Sequence, residues 1–269
     1  MLKKLALQEE IETKIEPVTD EKKTIKMKDF LHHISLDCVV FGFHSNQLKV
    51  LLLQMKKTGT WALPGGFVCE DESMEVAANR VLKERTGLDE IFLHQFNVFS
   101  DPQRSKHNPA VSDLVLSGKT YPEKSWFDQR FISVGFYALV EFSQVQPQPD
   151  ELSTICEWIN LENIGNLMLD HNEILQKALE TLRMQLTFQP IGYNLLPEKF
   201  TLSELRKLYE TILGKELDRR NFQRKILAYK ILTRLEEVRQ GVAHKAPTLY
   251  KFNLENYKRA LEEGLQGRW

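Results

Sequence analysis

The sequence predicts an α+β chain of two units, an α/β/α sandwich on a mixed sheet followed by a C-terminal winged helix-turn-helix. Three observations predict it. Residues 28–188 alternate β-rich apolar runs with stretches of helical periodicity, as a sheet covered by helices requires. Residues 201–269 run in the order capped helix, short turn, basic helix, hairpin. Charge divides at nearly the same place: Leu195 to Trp269 holds 16 Lys and Arg against 10 Asp and Glu, leaving 20 against 27 elsewhere. A basic end on an acidic body points to a polyanion-binding module joined to a unit that binds a small molecule.

With 269 residues, 42% hydrophobic and 27% charged, the composition is that of an ordinary globular protein of one large domain or two modest ones. Apolar runs such as VLLL at 50–53 fall far short of the roughly 20 residues of a membrane span. No signal-like segment opens the sequence, so a cytoplasmic chain with no membrane partner is expected. Cys38, Cys69 and Cys156 match neither a zinc motif nor a disulfide framework, and His32–His33 has no acidic or thiol partner at ligand spacing. Neither a metal site nor a cofactor is expected.

The elements follow in order. Residues 1–27 are charged and broken at Pro17, which reads as a mobile N-terminal extension. ISLDCVVFGF from Ile34, the turn HSNQ and LKVLLLQM form a hairpin in a core sheet. A helix near 73–86 and a strand over 131–142 follow, separated by a long irregular stretch of the functional kind with prolines at 102, 109 and 122. Leu175, Leu179 and Leu182 give the helix from His171 to about Met184 one buried face. QPIGYNLLPEKF, 189–200, reads as a linker. Thr201 and Glu204 form a capping box, Leu202, Leu205, Leu208 and Ile212 an apolar stripe, and Gly214 the stop. Asp218 caps a second helix, and ILTRLEEVRQG with TLYKF completes the hairpin.

WALPGG, residues 61–66, leads into FVCEDESMEVAANRVLKERTGL. Here Gly66, Glu72, Arg80 and Gly87–Leu88 keep an ungapped frame that resembles the box of the Nudix hydrolases: Gly, five residues, Glu, seven residues, Arg-Glu-U-x-Glu-Glu-x-Gly-U, U being a bulky aliphatic. The resemblance implies a Nudix-type sandwich in which Glu72, Arg80 and Gly87 hold the loop-helix-loop in shape. Chemistry there needs Mg²⁺, which wants several oxygen ligands, and glutamates at i, i+3 and i+4 of a helix supply them from one face. Those places hold Val81, Glu84 and Arg85. Valine offers no oxygen, and arginine at ~4 Å from a divalent ion repels it by roughly 8 kcal/mol as an upper figure at an effective dielectric of ~20. The scaffold has stayed and the ligands have gone, which suits a pocket that binds a nucleotide derivative without cleaving it and leaves no catalytic residue.

On the basic helix, Phe222, Ile226 and Tyr229 share the face that packs on the preceding helix. Arg220 and Arg224 point the other way, flanked by Asn221 and Gln223, which makes them candidates to read base edges in a major groove. Arg219 and Lys225, nearer the sides, suit phosphates, and Arg239, His244 and Lys245 near the hairpin tip could reach a neighbouring groove.

The two signatures together resemble the Nudix-related transcriptional regulators of the NrtR family, from about Ser35 to Asn253. FTLSELRKLYETILGKELDRRNFQRKIL is similar to that family's DNA-binding module, and APTLYKF to its closing wing strand. The resemblance implies a homodimeric repressor of an operon for NAD synthesis or sugar use, bound to a double-stranded DNA operator and responsive to ADP-ribose or a sugar-related metabolite. It implies a sensing domain at 28–188 and a DNA-binding domain at 201–269. The effector-binding residues it implies are Trp61, Gly65, Gly66, Glu84, Asp101, Arg104 and Arg130, with residues 105–129 inserted between the family's matching Arg positions. Two alternatives stand beside this. One is a working pyrophosphatase that recruits metal through Glu84 with Glu70, Asp71 or the inserted loop. The other is a pure interaction module, which leaves the arginine-rich helix unexplained.

Overall fold

A computed structural model describes residues 30–89, 91–104, 129–238 and 246–265. The N-terminal extension, nearly all of the insertion, and Arg239, His244 and Lys245 lie outside the described residues. In the first unit, β1 (Phe30–His44) and β2 (Gln47–Met55) form the expected hairpin. Its turn is shorter than HSNQ: Ser45 and Asn46 alone make it, with φ of 51° and 60°. Two positive φ values match the twist of a tight hairpin, and asparagine tolerates them well.

Strands β3 (Trp61–Ala62), β4 (Gly65–Cys69), β5 (Phe92–Phe99), β6 (Ile132–Val140) and β7 (Ser153–Asn160) complete a seven-stranded mixed sheet. Its main path runs β3-β2-β1-β6-β5, with β4 on β1 and β7 on β2. The β1–β6 pair is parallel and the others are antiparallel. Side chains alternate between faces with period two. Leu36, Cys38, Val40, Val134, Phe136 and Ala138 meet one helix, α1 (Met74–Thr86), through Ala77, Ala78, Val81 and Leu82. Val39, Phe41, Val50, Leu52, Tyr137 and Leu139 meet α2 (His171–Leu186) on the opposite face. A helix on each face is the α/β/α sandwich.

The second unit has α3 (Leu202–Leu213), α4 (Arg219–Ala228), a two-stranded sheet of β8 (Leu232–Val238) and β9 (Thr248–Phe252), and a final helix α5 (Leu254–Glu263) that the sequence reading did not assign. Asn253 caps α5 by accepting from the Asn256 amide at 3.1 Å. The capping box is formed: Thr201 Oγ1 accepts from the Glu204 amide at 3.2 Å, and Glu204 Oε2 from the Thr201 amide at 2.7 Å.

Segment 189–200 joins the units but is not a solvated tether. Ile191, Leu195, Leu196 and Phe200 are buried in one apolar cluster that also holds Leu179, Leu182, Leu205, Leu208, Ile212, Phe222 and Ile226. Each fully buried aliphatic or aromatic side chain contributes roughly 1.5–3 kcal/mol, so the units are fused through a shared core. Arg183 Nε on α2 donates to the Ile212 carbonyl of α3 at 2.8 Å, and Gln189 Nε2 donates to the Leu261 carbonyl of α5 at 3.0 Å. The sequence reads as a linker because Gly and two Pro interrupt it, but its apolar residues bind it into the core.

Candidate functional site

The loop-helix-loop is held by one ion pair. Arg80 donates from Nε to Glu72 Oε2 at 3.1 Å, from Nη2 to Glu72 Oε1 at 2.6 Å, and from Nη2 to the Phe67 carbonyl at 2.9 Å. Glu72 Oε1 also accepts from the Cys69 amide at 2.8 Å. Burial alone would raise the Glu72 carboxyl, but the Arg80 fork and the Cys69 amide overcome it and hold the group at about 2. Gly87 ends α1 with φ of 74°, and its amide donates to the Lys83 carbonyl at 2.8 Å. Ser73 caps the other end. Glu72, Arg80 and Gly87 thus fix where β4 meets α1.

The positions that would hold a divalent ion do not fit one. Val81 is 2% exposed in the core, so close to the loop that a Cβ on Gly66 would lie 2.8 Å from its Cγ2. Arg85 places Nη2 3.4 Å from Glu84 Oε2 and 3.5 Å from Asp150 Oδ2, so a cation already answers the carboxylates on that side. Among the described residues no three His, Cys, Asp or Glu side chains converge as metal ligands.

Beside this loop lies a cavity of about 170 Å³ with mostly apolar walls, among them Leu53, Leu63, Phe67, Phe131 and Met168. Asp37, Arg104 and His171 line it, and with Ser133 and Asp170 behind them they form a buried polar cluster drawn from four places in the chain. Asp37 comes from the middle of β1, Ser133 from β6, Arg104 from the turn after β5, and Asp170 with His171 from the start of α2. Arg104 grips Asp170 with a fork, Nε to Oδ2 at 2.8 Å and Nη2 to Oδ1 at 3.0 Å, and reaches Asp37 Oδ2 at 3.3 Å. Ser133 Oγ donates to Asp37 Oδ2 at 2.6 Å. The Leu63 amide donates to His171 Nδ1 at 2.9 Å, which puts the ring proton on Nε2, 3.4 Å from Asp37 Oδ1. Burial lowers the His171 pKa, with Asp37 and Asp170 opposing, so the ring is neutral near pH 7. With that ring neutral, two carboxylates and one guanidinium leave the cluster one net negative charge.

Of the residues expected around an effector, the structure brings Gly65, Gly66 and Arg104 to this cavity. Trp61 is next to it: Ala62 lines the wall, while the Trp61 carbonyl accepts from the Met168 amide at 2.8 Å. Glu84, Asp101 and Arg130 do not line it. Glu84 is exposed on α1, Asp101 Oδ1 caps its own turn by accepting from the Gln103 amide at 2.6 Å, and Arg130 Nη2 donates to the Ser100 carbonyl at 2.7 Å. Sequence reasoning missed Asp37, Asp170 and His171. Asp37 had a signal, a lone carboxylate inside the apolar run ISLDCVVF, whereas nothing local marks the other two.

The second candidate surface is α4. Asp218 Oδ1 caps it by accepting from the Asn221 amide at 2.8 Å. Phe222 and Ile226 are buried against α3, with Phe222 edge-on to Tyr209 at 5.4 Å between ring centroids. Arg219, Arg220, Asn221 and Arg224 are exposed, and Gln223 and Lys225 are half-buried. Arg224 Nη2 donates to Asn221 Oδ1 at 2.8 Å, which orients the guanidinium along the exposed face. The α3–α4 turn is locked by Glu210, whose Oε1 accepts from Arg206 Nη1 at 2.5 Å and from the Leu217 amide at 3.0 Å. A rigidly held helix with guanidinium and amide groups outward has the chemistry of base-edge and phosphate recognition.

Residues 31–182 match the family described as NUDIX domain, and residues 192–252 that described as NrtR DNA-binding winged helix domain. The chain is 30% identical over 232 residues to the ADPR responsive transcriptional repressor NtrR of Acinetobacter baylyi, covering 83% of each protein. It is 34% identical over 101 residues to the ADP-ribose pyrophosphatase of Methanocaldococcus jannaschii, covering 35% of this chain and 60% of that one. The crystal structure of Shewanella oneidensis NrtR complexed with a 27mer DNA superimposes with a TM-score of 0.67 at 25% identity, covering 84% of this chain and 96% of that one.

Proposed function

We propose, from the premise that the chain belongs to the NrtR family of Nudix-related transcriptional regulators, that it is a repressor released from its operator by ADP-ribose and that it does not cleave this effector. One observation carries the reading: a Nudix frame with its metal positions filled by Val81 and Arg85 covers one face of a sheet whose other face shares a core with a helix that presents Arg220 and Arg224 to solvent. Sensing and DNA reading then belong to one body. The Acinetobacter relative responds to ADP-ribose, and the buried Arg104 beside Gly65 and Gly66 offers this chain a cationic group for such an anionic effector.

In this reading residues 28–188 sense the effector and 201–269 bind DNA, with Arg219, Arg220, Asn221, Gln223, Arg224 and Lys225 at the duplex. The protein acts in the cytoplasm as a homodimer on a palindromic operator, because one helix-turn-helix covers little DNA surface. The regulated genes are those of NAD metabolism or sugar utilisation. Calorimetric titration with ADP-ribose in Mg²⁺, followed by chromatography of the same sample, tests it. Heat of binding with intact ADP-ribose supports the reading; AMP and ribose 5-phosphate, abolished by Glu84→Gln, replace it with the pyrophosphatase.

A further inference from the structure

Asp170 stands at the N-cap of α2, where an aspartate ordinarily accepts from the amides two or three residues on. It does not do so here. In the other four described α-helices the N-cap side chain makes that bond, through Ser73, Thr201, Asp218 and Asn253. The Asp170 carboxylate instead gives both oxygens to Arg104, and the amides of Asn172 and Glu173 donate to no described acceptor. Arg104 has a side chain 4% exposed, lines the cavity, and makes no hydrogen bond through Nη1 to the described residues.

We propose that an anionic group of the effector takes the Arg104 fork from Asp170, and that α2 carries this exchange to α3 and α4. The proposal rests on the functional reading above and names how its pocket is coupled to DNA. A phosphate-bearing ligand cannot simply join a cluster that already carries one net negative charge; a carboxylate must give way. Asp37 is held by Ser133 and His171 as well as Arg104, whereas among the described residues the Asp170 carboxylate is held by Arg104 alone. Asp170 is therefore the one displaced, and the first-turn amides of α2 offer it a second partner. A phosphate accepts the same bidentate fork that the carboxylate leaves.

The exchange has a short route to DNA. The last turn of α2 holds Arg183, whose Nε donates to the Ile212 carbonyl in the last turn of α3. From there Glu210 fixes the turn into α4. In the proposal, a change of partner at one end of α2 reaches the α3–α4 turn at the other through these contacts, and the variants below test that coupling.

The test uses the full chain, an operator selected from a random DNA library, and ADP-ribose as the probe. The quantity read is the ratio of the DNA dissociation constants with and without saturating ADP-ribose, about 5- to 150-fold for a typical allosteric protein. Arg183→Met should bind ADP-ribose within about twofold of the parent yet lose most of that ratio. Asp170→Asn, whose amide holds Arg104 without charge, should bind ADP-ribose several-fold more tightly and also show a smaller ratio. Both variants keeping the parent ratio and the parent ADP-ribose affinity overturns the exchange. A parent protein whose DNA affinity ignores ADP-ribose overturns the functional reading itself, and the exchange with it.

Discussion

Replacing Glu72 by Gln removes one negative charge and leaves the shape of the side chain. In the parent the carboxyl is held at about 2 against an ordinary 4.5, and the Glu72 side chain is 10% exposed while that of Arg80 is 28% exposed. A depression of that size corresponds to ~3 kcal/mol, and partial exposure of Arg80 reduces it to ~2 kcal/mol. The group is depressed, so its stabilisation is complete above pH 4.5 and is lost as the pH falls from there toward 2. Glu72→Gln should therefore cost about 2 kcal/mol at pH 7, and the gap to the parent should close through that acid window. Urea unfolding followed by tryptophan fluorescence at pH 7, 5, 4 and 3 measures it. A gap under ~0.5 kcal/mol at pH 7, or one that does not change with pH, refutes the reasoning. Because Arg80 also holds the Phe67 carbonyl beside the cavity, ADP-ribose affinity should fall in the same variant.

Other consequences are independent of that pair. Arg224→Ala should cost roughly 1–3 kcal/mol on the operator and flatten preference at one base position, while Lys225→Ala should weaken all sequences alike and lower the salt slope by about one; equal losses of Arg220→Ala and Arg224→Ala on operator and random DNA would reduce α4 to an electrostatic grip. Val81→Glu should destabilise by about 3 kcal/mol or more, since the side chain is 2% exposed and packs against Gly66, and unchanged urea stability would contradict its place in the core. Ultracentrifugation should show a dimer, free and on DNA, and a monomer in both would contradict the palindromic operator.

Much of the fold was legible because the signals are local. β-rich apolar runs bounded by turn residues gave β1, β2 and β6, and Thr201 and Asp218 marked the starts of α3 and α4, with Gly214 the end of the first. Strands β5 and β7 were not assigned, as polar residues interrupt their apolar runs. Helix α5 was missed because the reading stopped at the hairpin, although Asn253 marks its start. The shared core between units could not be read either, for burial of 189–200 depends on distant α2, α3 and β9. At the site, the frame residues were visible by spacing, whereas Asp37, Arg104, Asp170 and His171 meet only through the sheet, with Arg104 and Asp170 66 positions apart. Spacing along a helix survives in sequence; a cluster assembled across β1, β6 and α2 does not.

One molecule should bind ADP-ribose or its operator, each at the other's expense. Linkage makes this reciprocal: the factor by which ADP-ribose weakens DNA binding must equal the factor by which operator DNA weakens ADP-ribose binding. Titrating ADP-ribose into the free protein and into its operator complex, with fluorescent DNA followed in parallel, measures both factors. Two equal factors of at least about fivefold are expected, with ADP-ribose recovered intact. ADP-ribose binding with the same affinity to free and operator-bound protein, or recovery of AMP, would contradict it.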